Sequence, residues 1–274
     1  MRSVTLLVAT LMVCLWPTLS AAQDGFFSDW FNMATATQAE QPHWVTPLAT
    51  TTPRLEQEYR YDIQWQVHNS GLVTNNYGVS KGLEIIPEKN IEIIVAEPPY
   101  VMNNPDSPNG WGDWQFLVKY RIATGNEEHG NYILTAFYQM SLPTGQFEQG
   151  QPNPVITPTL AYGKGFRNLD VQGTLGGSLP TGNVAKIGRS ILWNNTLQYR
   201  VMKKIWPETE FNFTHYYEGS HSGHSLFYVT PGVVLGRFPI HNRLAFTFGA
   251  GYEIAATSFH PTNHIPILSI RIPF

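Results

Sequence analysis

The segment Glu218-Gly-Ser-His-Ser-Gly-His224 carries the residue types that nucleophilic chemistry would need. In an extended chain Ser222 and His224 fall on the same face, because side chains alternate with a period of two. A serine nucleophile needs a histidine within hydrogen-bond reach, and a third polar group must orient that histidine. The glycines and serines of this segment instead favour a mobile surface turn. We therefore predict that the protein is not an enzyme.

Several histidines raise the hypothesis of a metal site. They are His215, His221, His224, His241, His260 and His264. Most fall in predicted loops or turns of different hairpins, and no compact pair is joined by a carboxylate on one rigid element. We interpret them as solvated loop residues and predict no metal. The sequence also shows no phosphate loop or nucleotide fingerprint, and its net charge is only −3. We predict no cofactor and no nucleic-acid partner.

The segments that would position any site show a regular alternation of apolar and polar residues. The clearest segment covers residues 55–68. Leu55, Gln57, Tyr59, Tyr61, Ile63, Trp65 and Val67 lie on one face, and Glu56, Glu58, Arg60, Asp62, Gln64, Gln66 and His68 lie on the other. This two-residue period predicts a β-strand with one apolar face.

Counted from Leu55, twelve such segments can be drawn. They are 55–67, 77–86, 91–98, 113–123, 132–142, 155–163, 169–179, 190–202, 208–217, 225–236, 242–255 and 264–274. Most have the 9–11 residues of a tilted membrane strand. Short and long connections mostly alternate, and the even number places both chain ends in the periplasm. The sequence therefore predicts an all-β fold, a single antiparallel transmembrane β-barrel of about 12 strands of the outer-membrane type.

Composition agrees with a barrel that hides its hydrophobicity in alternation. Aromatic residues make up 13% of the chain and charged residues 14%, while the mean hydropathy is only −0.19. No segment after the N-terminus is a continuous apolar run long enough for a transmembrane helix. A window average misses strands whose apolar residues alternate with polar ones.

The N-terminus has the features of an export signal. A basic start, an apolar core of about a dozen residues and Ser20-Ala21-Ala22 predict a signal peptide over residues 1–22, cleaved near Ala22. Cys14 is the only cysteine, so the mature chain would have neither disulfides nor thiolate sites. Residues 23–53 lack a sustained period and are predicted as a flexible periplasmic leader. Residues 54–274 would form the barrel.

The last strand has the features of a membrane-assembly signal. Leu268, Ile270, Ile272 and Phe274 share one apolar face, and Ser269 and Arg271 lie on the other. A strand that closes the chain on a terminal aromatic residue is typical of bacterial outer-membrane barrels. Such a strand must seal the sheet, because an open edge in hydrocarbon leaves costly unpaired backbone groups. We expect recognition by the barrel-assembly machinery, contact with outer-membrane lipid, and localisation in the bacterial outer membrane.

The polar faces of the strands predict a charged lumen, because Arg or Lys on the lipid face costs about 2–4 kcal/mol at mid-bilayer. The predicted lumen-lining residues are Glu56, Glu58, Arg60, Asp62, Lys119, Arg121, Arg200, Glu210, Arg243 and Glu253. Ladders of both signs can line a pore or plug a narrow barrel, and the sequence leaves both open. The long third connection could fold inward as a constriction that carries Tyr100, Met102 and Trp111.

Several motifs resemble the MetA-pathway of phenol degradation family of bacterial outer-membrane proteins. They are Lys81-Gly-Leu-Glu-Ile-Ile-Pro87, Pro98-Pro-Tyr100, Gly112-Asp-Trp-Gln-Phe-Leu-Val-Lys-Tyr-Arg121, Ser141-Leu-Pro-Thr-Gly145, Asp170-Val-Gln172 and Ser178-Leu-Pro-Thr-Gly182. The resemblance spans nearly all of the predicted mature chain. It implies a channel or transporter-like barrel, in some members linked to uptake of aromatic or other hydrophobic compounds, and it implies no catalytic residues.

These features predict a barrel that passively moves small molecules across the outer membrane, with hydrophobic or aromatic compounds as candidate substrates. A plugged structural or surface-interaction barrel without transport is the alternative. An outer-membrane phospholipase, also twelve-stranded, is a more distant one, because the motif of that enzyme family is not reproduced.

Overall fold

In the described part of the chain, fifteen β-segments form one antiparallel sheet whose first and last strands pair, so the sheet closes into a barrel. The structure is a computed structural model that describes residues 16–79 and 81–274. The segments are β1 (Glu58–His68), β2 (Val73–Tyr77), β3 (Leu83–Glu88), β4 (Ile91–Ala96), β5 (Tyr100–Met102), β6 (Gly110–Trp111), β7 (Gln115–Gly125), β8 (Tyr132–Ser141), β9 (Val155–Phe166), β10 (Leu169–Pro180), β11 (Arg189–Tyr199), β12 (Ile205–Glu218), β13 (Ser225–His241), β14 (Leu244–Ala255) and β15 (Thr262–Pro273).

The fifteen segments make twelve barrel strands, because three neighbouring strands are each interrupted. Strand β1 pairs with β2 along one half and with β3 along the other. Along one half of the barrel β3 pairs with β4, and β4 pairs with β7. Along the other half β2 pairs with β5, and β5 pairs with β6. The predicted closed twelve-stranded antiparallel barrel is therefore confirmed.

The three interruptions lie side by side, and two of them have evident local causes. The break between β2 and β3 is flanked by Gly78 and Gly82, both with positive φ, at +81° and +141°. A side chain at Gly82 would collide with the Val95 carbonyl oxygen, 2.4 Å from the Cβ position. The second break contains Pro98 and Pro99, which lack the N–H that a ladder needs. The barrel wall thus has one weakly hydrogen-bonded patch.

The closing seam joins β1 to β15 over nearly the whole length of both strands. Tyr59, Tyr61 and Ile63 stand opposite Ile272, Ile270 and Leu268. These directly opposed pairs share one face of the sheet. Leu268 and Ile270 are exposed on the outside, whereas Ser269 and Arg271 are buried inside. The predicted facing of the last strand agrees with this arrangement.

Helix α1 (Trp16–Ala39) lies against one mouth of the barrel. Its Trp30 Nε1 donates to the Ile86 carbonyl at 2.6 Å, and Ala34 packs with Leu55 and Ile86 in a buried cluster. In single-chain bacterial barrels the end with short turns is periplasmic. By this rule the mouth that carries α1 is the periplasmic one. None of the described helices is long and apolar enough to span a membrane.

The segment after α1 differs from its prediction. A flexible periplasmic leader is predicted for residues 23–53. In the structure residues 41–57 enter the barrel, and most of their side chains are buried there. Leu55 is also predicted on the lipid face of the first strand, but it lies inside because β1 begins at Glu58. We call residues 41–57 the lumenal plug. The N-terminal residues 1–15 of the predicted signal peptide lie outside the described residues.

Candidate functional site

Two acidic residues of the wall bind the N–H groups of the lumenal plug. Glu208 Oε1 accepts from Leu48 N at 3.0 Å. The two carboxylate oxygens of Glu210 accept from Ala49 N at 2.7 Å and from Thr50 N at 2.6 Å. Both acids lie on β12 at alternate positions, so both side chains point into the lumen. The wall thus provides acceptors that a neighbouring strand would otherwise supply.

Basic residues of the wall bind the carbonyl groups of the plug. Arg60 Nη1 and Arg271 Nη2 both donate to the Pro47 carbonyl, at 3.0 and 2.9 Å. Arg60 also donates to the Leu48 carbonyl, Arg271 to the Thr46 carbonyl, and Lys119 Nζ to the Arg54 carbonyl at 3.1 Å. Buried backbone groups must be paired. Lumenal charges therefore fix a plug that pairs with none of the described strands.

Glycines of the wall make room for the one large aliphatic side chain at the centre of the plug. A Cβ built on Gly232, Gly249 or Gly251 would lie 2.4–2.7 Å from a methyl carbon of Leu48. Leu48 is only 1% exposed and belongs to a buried cluster with Trp44 and Trp206. The fit between Leu48 and the three glycines specifies one position of the plug along the lumen.

This fit predicts that Gly249→Val unseats the plug, because the added methyl groups overlap Leu48. We expect a loss of about 1–3 kcal/mol in the free energy of unfolding, the usual cost of overpacking. Urea unfolding in detergent micelles measures it. Gly177→Val is the matched control, since a Cβ there meets nothing closer than 3.7 Å. Equal effects of the two substitutions would contradict a specific seat for Leu48.

The ten predicted lumen-lining residues all belong to the inside of the barrel or its periplasmic mouth, but with different roles. Glu56, Glu58, Arg60, Asp62, Lys119, Arg121 and Glu210 are buried, and Arg200, Arg243 and Glu253 are partly exposed. Arg121 donates to the Thr37 carbonyl at 2.7 Å, and Arg243 to the Phe31 carbonyl at 3.1 Å. These two arginines hold α1 at the mouth.

One ion pair of the lumen is completely buried. Lys119 Nζ lies 2.9 Å from Glu92 Oε1, and both side chains are 0% exposed. Glu92 Oε2 also accepts from Glu56 N at 2.5 Å. The pair therefore links β4, β7 and the end of the plug. Glu92 is not among the predicted lumen residues, although it has the alternate spacing of the inward positions of β4.

Tyr100, Met102 and Trp111 do not form the predicted constriction of the lumen. Tyr100 stands opposite Tyr77 and Trp111, and the inward positions of this region are Asn76, Val101 and Gly110, which are buried. The Tyr100 and Trp111 rings contact each other at 4.8 Å, and Trp111 is 50% exposed. The third connection extends the barrel wall as β5 and β6, so these side chains lie on its outer face.

The candidate nucleophile and base bind different groups. Ser222 Oγ donates to the Tyr217 carbonyl at 3.1 Å, and the His224 ring stacks on Phe259 at 4.4 Å. Within residues 16–79 and 81–274, no three potential ligand side chains of His, Cys, Asp or Glu are grouped closely enough to hold a metal ion.

A second contact fixes the entry of the plug at the periplasmic mouth. His43 Nδ1 lies 2.7 Å from Glu127 Oε2, and the His43 backbone N–H donates to Glu127 Oε1 at 2.8 Å. Partial burial opposes ionisation of Glu127, but the hydrogen bonds from His43, the Glu127 backbone N–H and the nearby His43 charge together lower the pKa of the carboxyl below its usual value. The plug is thus anchored by a turn that the sequence gives no reason to single out.

Three cavities remain beside the plug and follow one another along the barrel. The loop-end cavity, of about 330 Å³, includes Gln115, Gln139, Ser141, Thr157 and Tyr216 in its lining. The central cavity, of about 220 Å³, includes Gln115, Gln139, Asp62, Lys81 and Thr46. The periplasmic cavity, of about 250 Å³, includes Thr46, Trp44, Arg54, Arg200 and Lys203. Each cavity adjoins the next, because neighbouring cavities share lining residues.

Narrow points of this route lie where the cavities share residues. Gln139 Nε2 donates to Gln115 Oε1 at 2.7 Å between the loop-end and central cavities. Thr46 of the plug separates the central cavity from the periplasmic one, and its hydroxyl donates to Glu56 at 3.2 Å. Sequence reasoning did not single out either point. An uncharged glutamine pair on neighbouring strands gives no signal that distinguishes it from other polar inward residues.

A closed, even-stranded antiparallel barrel with apolar residues outside and charges inside is the architecture of an outer-membrane β-barrel. Solved structures with this fold resemble the chain. The NanC porin superposes with a TM-score of 0.54 at 9% identity, over 78% of this chain and 98% of that one. The COG4313 outer membrane channel from Pseudomonas putida F1 superposes with a TM-score of 0.57 at 13% identity, over 84% of this chain and 100% of that one.

At these identities the likeness establishes the shared fold. The sequence matches no protein-family model and no functionally curated protein. The resemblance to the MetA-pathway of phenol degradation family therefore stays a prediction from the motifs.

Proposed function

We propose that the protein is an outer-membrane channel for small molecules, in which the lumenal plug narrows the passage to a route along one side. The observation that carries this proposal is the series of three adjoining cavities, which share Gln115, Gln139 and Thr46 in their linings. A barrel stabilised by its interior alone would not need such a series of spaces from one mouth to the other. The two neighbouring folds, a porin and an outer membrane channel by name, are in keeping with such a role.

The lining of the route indicates which molecules it would pass. Gln, Ser and Thr side chains dominate the loop-end cavity, whereas the central cavity combines charged residues with Leu48, Ile94 and Leu117. A mixed lining suits small molecules that carry both a polar and an apolar part. The family resemblance implies uptake of hydrophobic or aromatic compounds, and this substrate class is part of the proposal.

The proposal also includes cleavage of a signal peptide near Ala22 and recognition of the last strand by the barrel-assembly machinery.

The alternative of a plugged barrel without transport is favoured by one observation. The plug is held by buried charged side chains along most of its length, and such contacts do not open readily. Both hypotheses describe the same structure, but only the first expects ions to pass.

The proposal predicts discrete single-channel conductance for the refolded mature chain in planar bilayers, and a loss of most of it in Gln139→Trp. An indole at this position would fill the narrow point between the loop-end and central cavities. Tyr138→Trp is the matched control, because Tyr138 is the preceding residue, on the outer face, and 50% exposed. A folded barrel without conductance, or equal conductance in the two variants, would contradict the proposed route.

A further inference from the structure

Basic side chains outnumber acidic ones in the periplasmic cavity. Arg54, Arg200, Lys203, Arg237 and Arg271 line it, against the two carboxylates Glu56 and Glu58. Asp170 and Glu208 are outside the lining, although they interact electrostatically with Arg54 and Arg271 respectively. A partly enclosed space lined by one sign of charge concentrates ions of the opposite sign. The excess of basic side chains therefore favours anions over cations in this cavity.

The excess persists when each ion pair is counted. Glu56 binds two of the cations, through Arg54 Nη1 at 2.8 Å and Arg237 Nη2 at 2.9 Å. Among the described residues, no carboxylate lies within 4.0 Å of the charged nitrogens of Arg200 or Lys203. Arg200 instead stacks over Trp206 at 5.7 Å and makes one long hydrogen bond of 3.4 Å to Asn168.

A buried donor in the same lining has no acceptor among the described residues. Arg54 Nε is inaccessible and makes no hydrogen bond, and the residue is only 5% exposed. Buried polar nitrogens are nearly always paired. A guanidinium group offers five donors in a fixed plane, which suits carboxylate and phosphate oxygens. This donor is independent of the charge count, and it shows that the lining has more donors than acceptors.

We propose that the periplasmic cavity binds a small anion, a carboxylate or a phosphate, through Arg54, Arg200 and Lys203. The inference rests on the proposed channel function and names the substrate class of that channel. Trp44 and Trp206 belong to the same lining, so the cavity also accepts a flat apolar group attached to the anion. The site lies at the exit of the route, where it favours the passage of anions over cations.

Calorimetric titration of the refolded mature chain in detergent tests the site directly, with benzoate, inorganic phosphate and the neutral amide benzamide as probes. The expected result is that benzoate binds and that benzamide does not. In Arg200→Gln/Lys203→Gln the dissociation constant for benzoate rises at least about tenfold, the usual effect of losing hydrogen bonds to charged groups. Lys204→Gln is the matched control, because Lys204 is the next residue but packs over Phe238 at 5.0 Å.

A single substitution guards against misfolding of the double variant. Lys203 lies on an exposed turn, so Lys203→Glu leaves the barrel intact and should weaken benzoate binding. Unchanged affinity in this variant, or equal affinity for benzoate and benzamide, overturns the site. Binding of phosphate without benzoate assigns the site to phosphate, including that of lipid headgroups, and overturns its role in carboxylate passage.

The reversal potential across a bilayer with a salt gradient separates this inference from the proposed function. We expect the wild-type chain to conduct chloride in preference to potassium. We expect Lys203→Glu to remove or invert that preference. A chain that conducts without binding benzoate and without anion preference keeps the channel and loses the anion site. A chain that binds benzoate but never conducts keeps the site and loses the channel.

Discussion

A mature chain that begins at Arg54 is expected to conduct on the order of tenfold more than the intact mature chain, because it lacks α1 and most of the plug. Removal of residues 23–53 frees Glu208, Glu210 and Arg271 from the plug backbone. These side chains would then be hydrated and would line a wider aqueous lumen. Single-channel recording in planar bilayers measures the change, after gel migration with and without heating has established that the barrel is closed.

Two further variants keep this prediction specific. Deletion of residues 23–40 removes the part of α1 that the mature chain retains but leaves the plug, so conductance should stay close to that of the intact mature chain. Glu208→Gln/Glu210→Gln keeps every residue of the plug and weakens its hold, so brief openings should become more frequent. If the chain that begins at Arg54 forms a closed barrel with unchanged conductance, the plug does not limit passage.

Lys119→Met is expected to cost about 3–5 kcal/mol in the free energy of unfolding, because it leaves the Glu92 carboxylate buried without a counter-charge. Both side chains of the pair are fully buried, at 2.9 Å. The double variant Lys119→Met/Glu92→Met should recover most of that loss, since buried ion pairs are often replaceable by apolar residues. It should not recover all of it, because the Arg54 carbonyl and the Glu56 N–H also lose their partners.

Equilibrium unfolding by urea in detergent micelles measures both variants. The matched control is Lys89→Met, which removes the same charge from an ion pair of 2.7 Å whose side chains are 54% and 44% exposed. An exposed pair contributes at most about 1 kcal/mol. If the single and double variants at the buried pair lose the same stability, burial of the unpaired carboxylate is not the cause.

The strands of this barrel could be read from the sequence because each has to hide one face and hydrate the other. The predicted segments 132–142 and 169–179 differ by one residue from β8 (Tyr132–Ser141) and β10 (Leu169–Pro180). Alternation is a local property, so every strand carries its own signal. The even strand number and the pairing of β1 with β15 follow from the same pattern, because a barrel must close.

The plug escaped prediction for a physical reason. Its backbone is bound by side chains of distant strands instead of a neighbouring ladder, as in the contact of Leu48 with Glu208, 160 residues away. Such contacts impose no period on the plug sequence. Two signals did exist in the rest of the chain. One is the excess of inward charges without neighbouring partners, and the other is the group of wall glycines such as Gly232 and Gly249, whose positions a filled lumen explains.

The predicted constriction differs from the structure because the long third connection is part of the barrel wall and not an inward loop. The segment between β4 and β7 continues the wall as β5 and β6 after a break at Pro98-Pro99. Proline interrupts a ladder without ending the strand direction. From the sequence, such a break cannot be distinguished from the end of a strand.

The attachment of Arg271 to the plug has a consequence for the order of assembly. This residue of the final strand donates to the carbonyls of Thr46 and Pro47, which lie more than 220 residues earlier in the chain. Contacts of such long range form late in folding. Seating of the N-terminal segment and sealing of the cylinder are therefore coupled events, completed together when the last hairpin arrives. A chain that still lacks its last hairpin cannot hold the plug through Arg271. The final width of the passage is therefore fixed only when folding is complete.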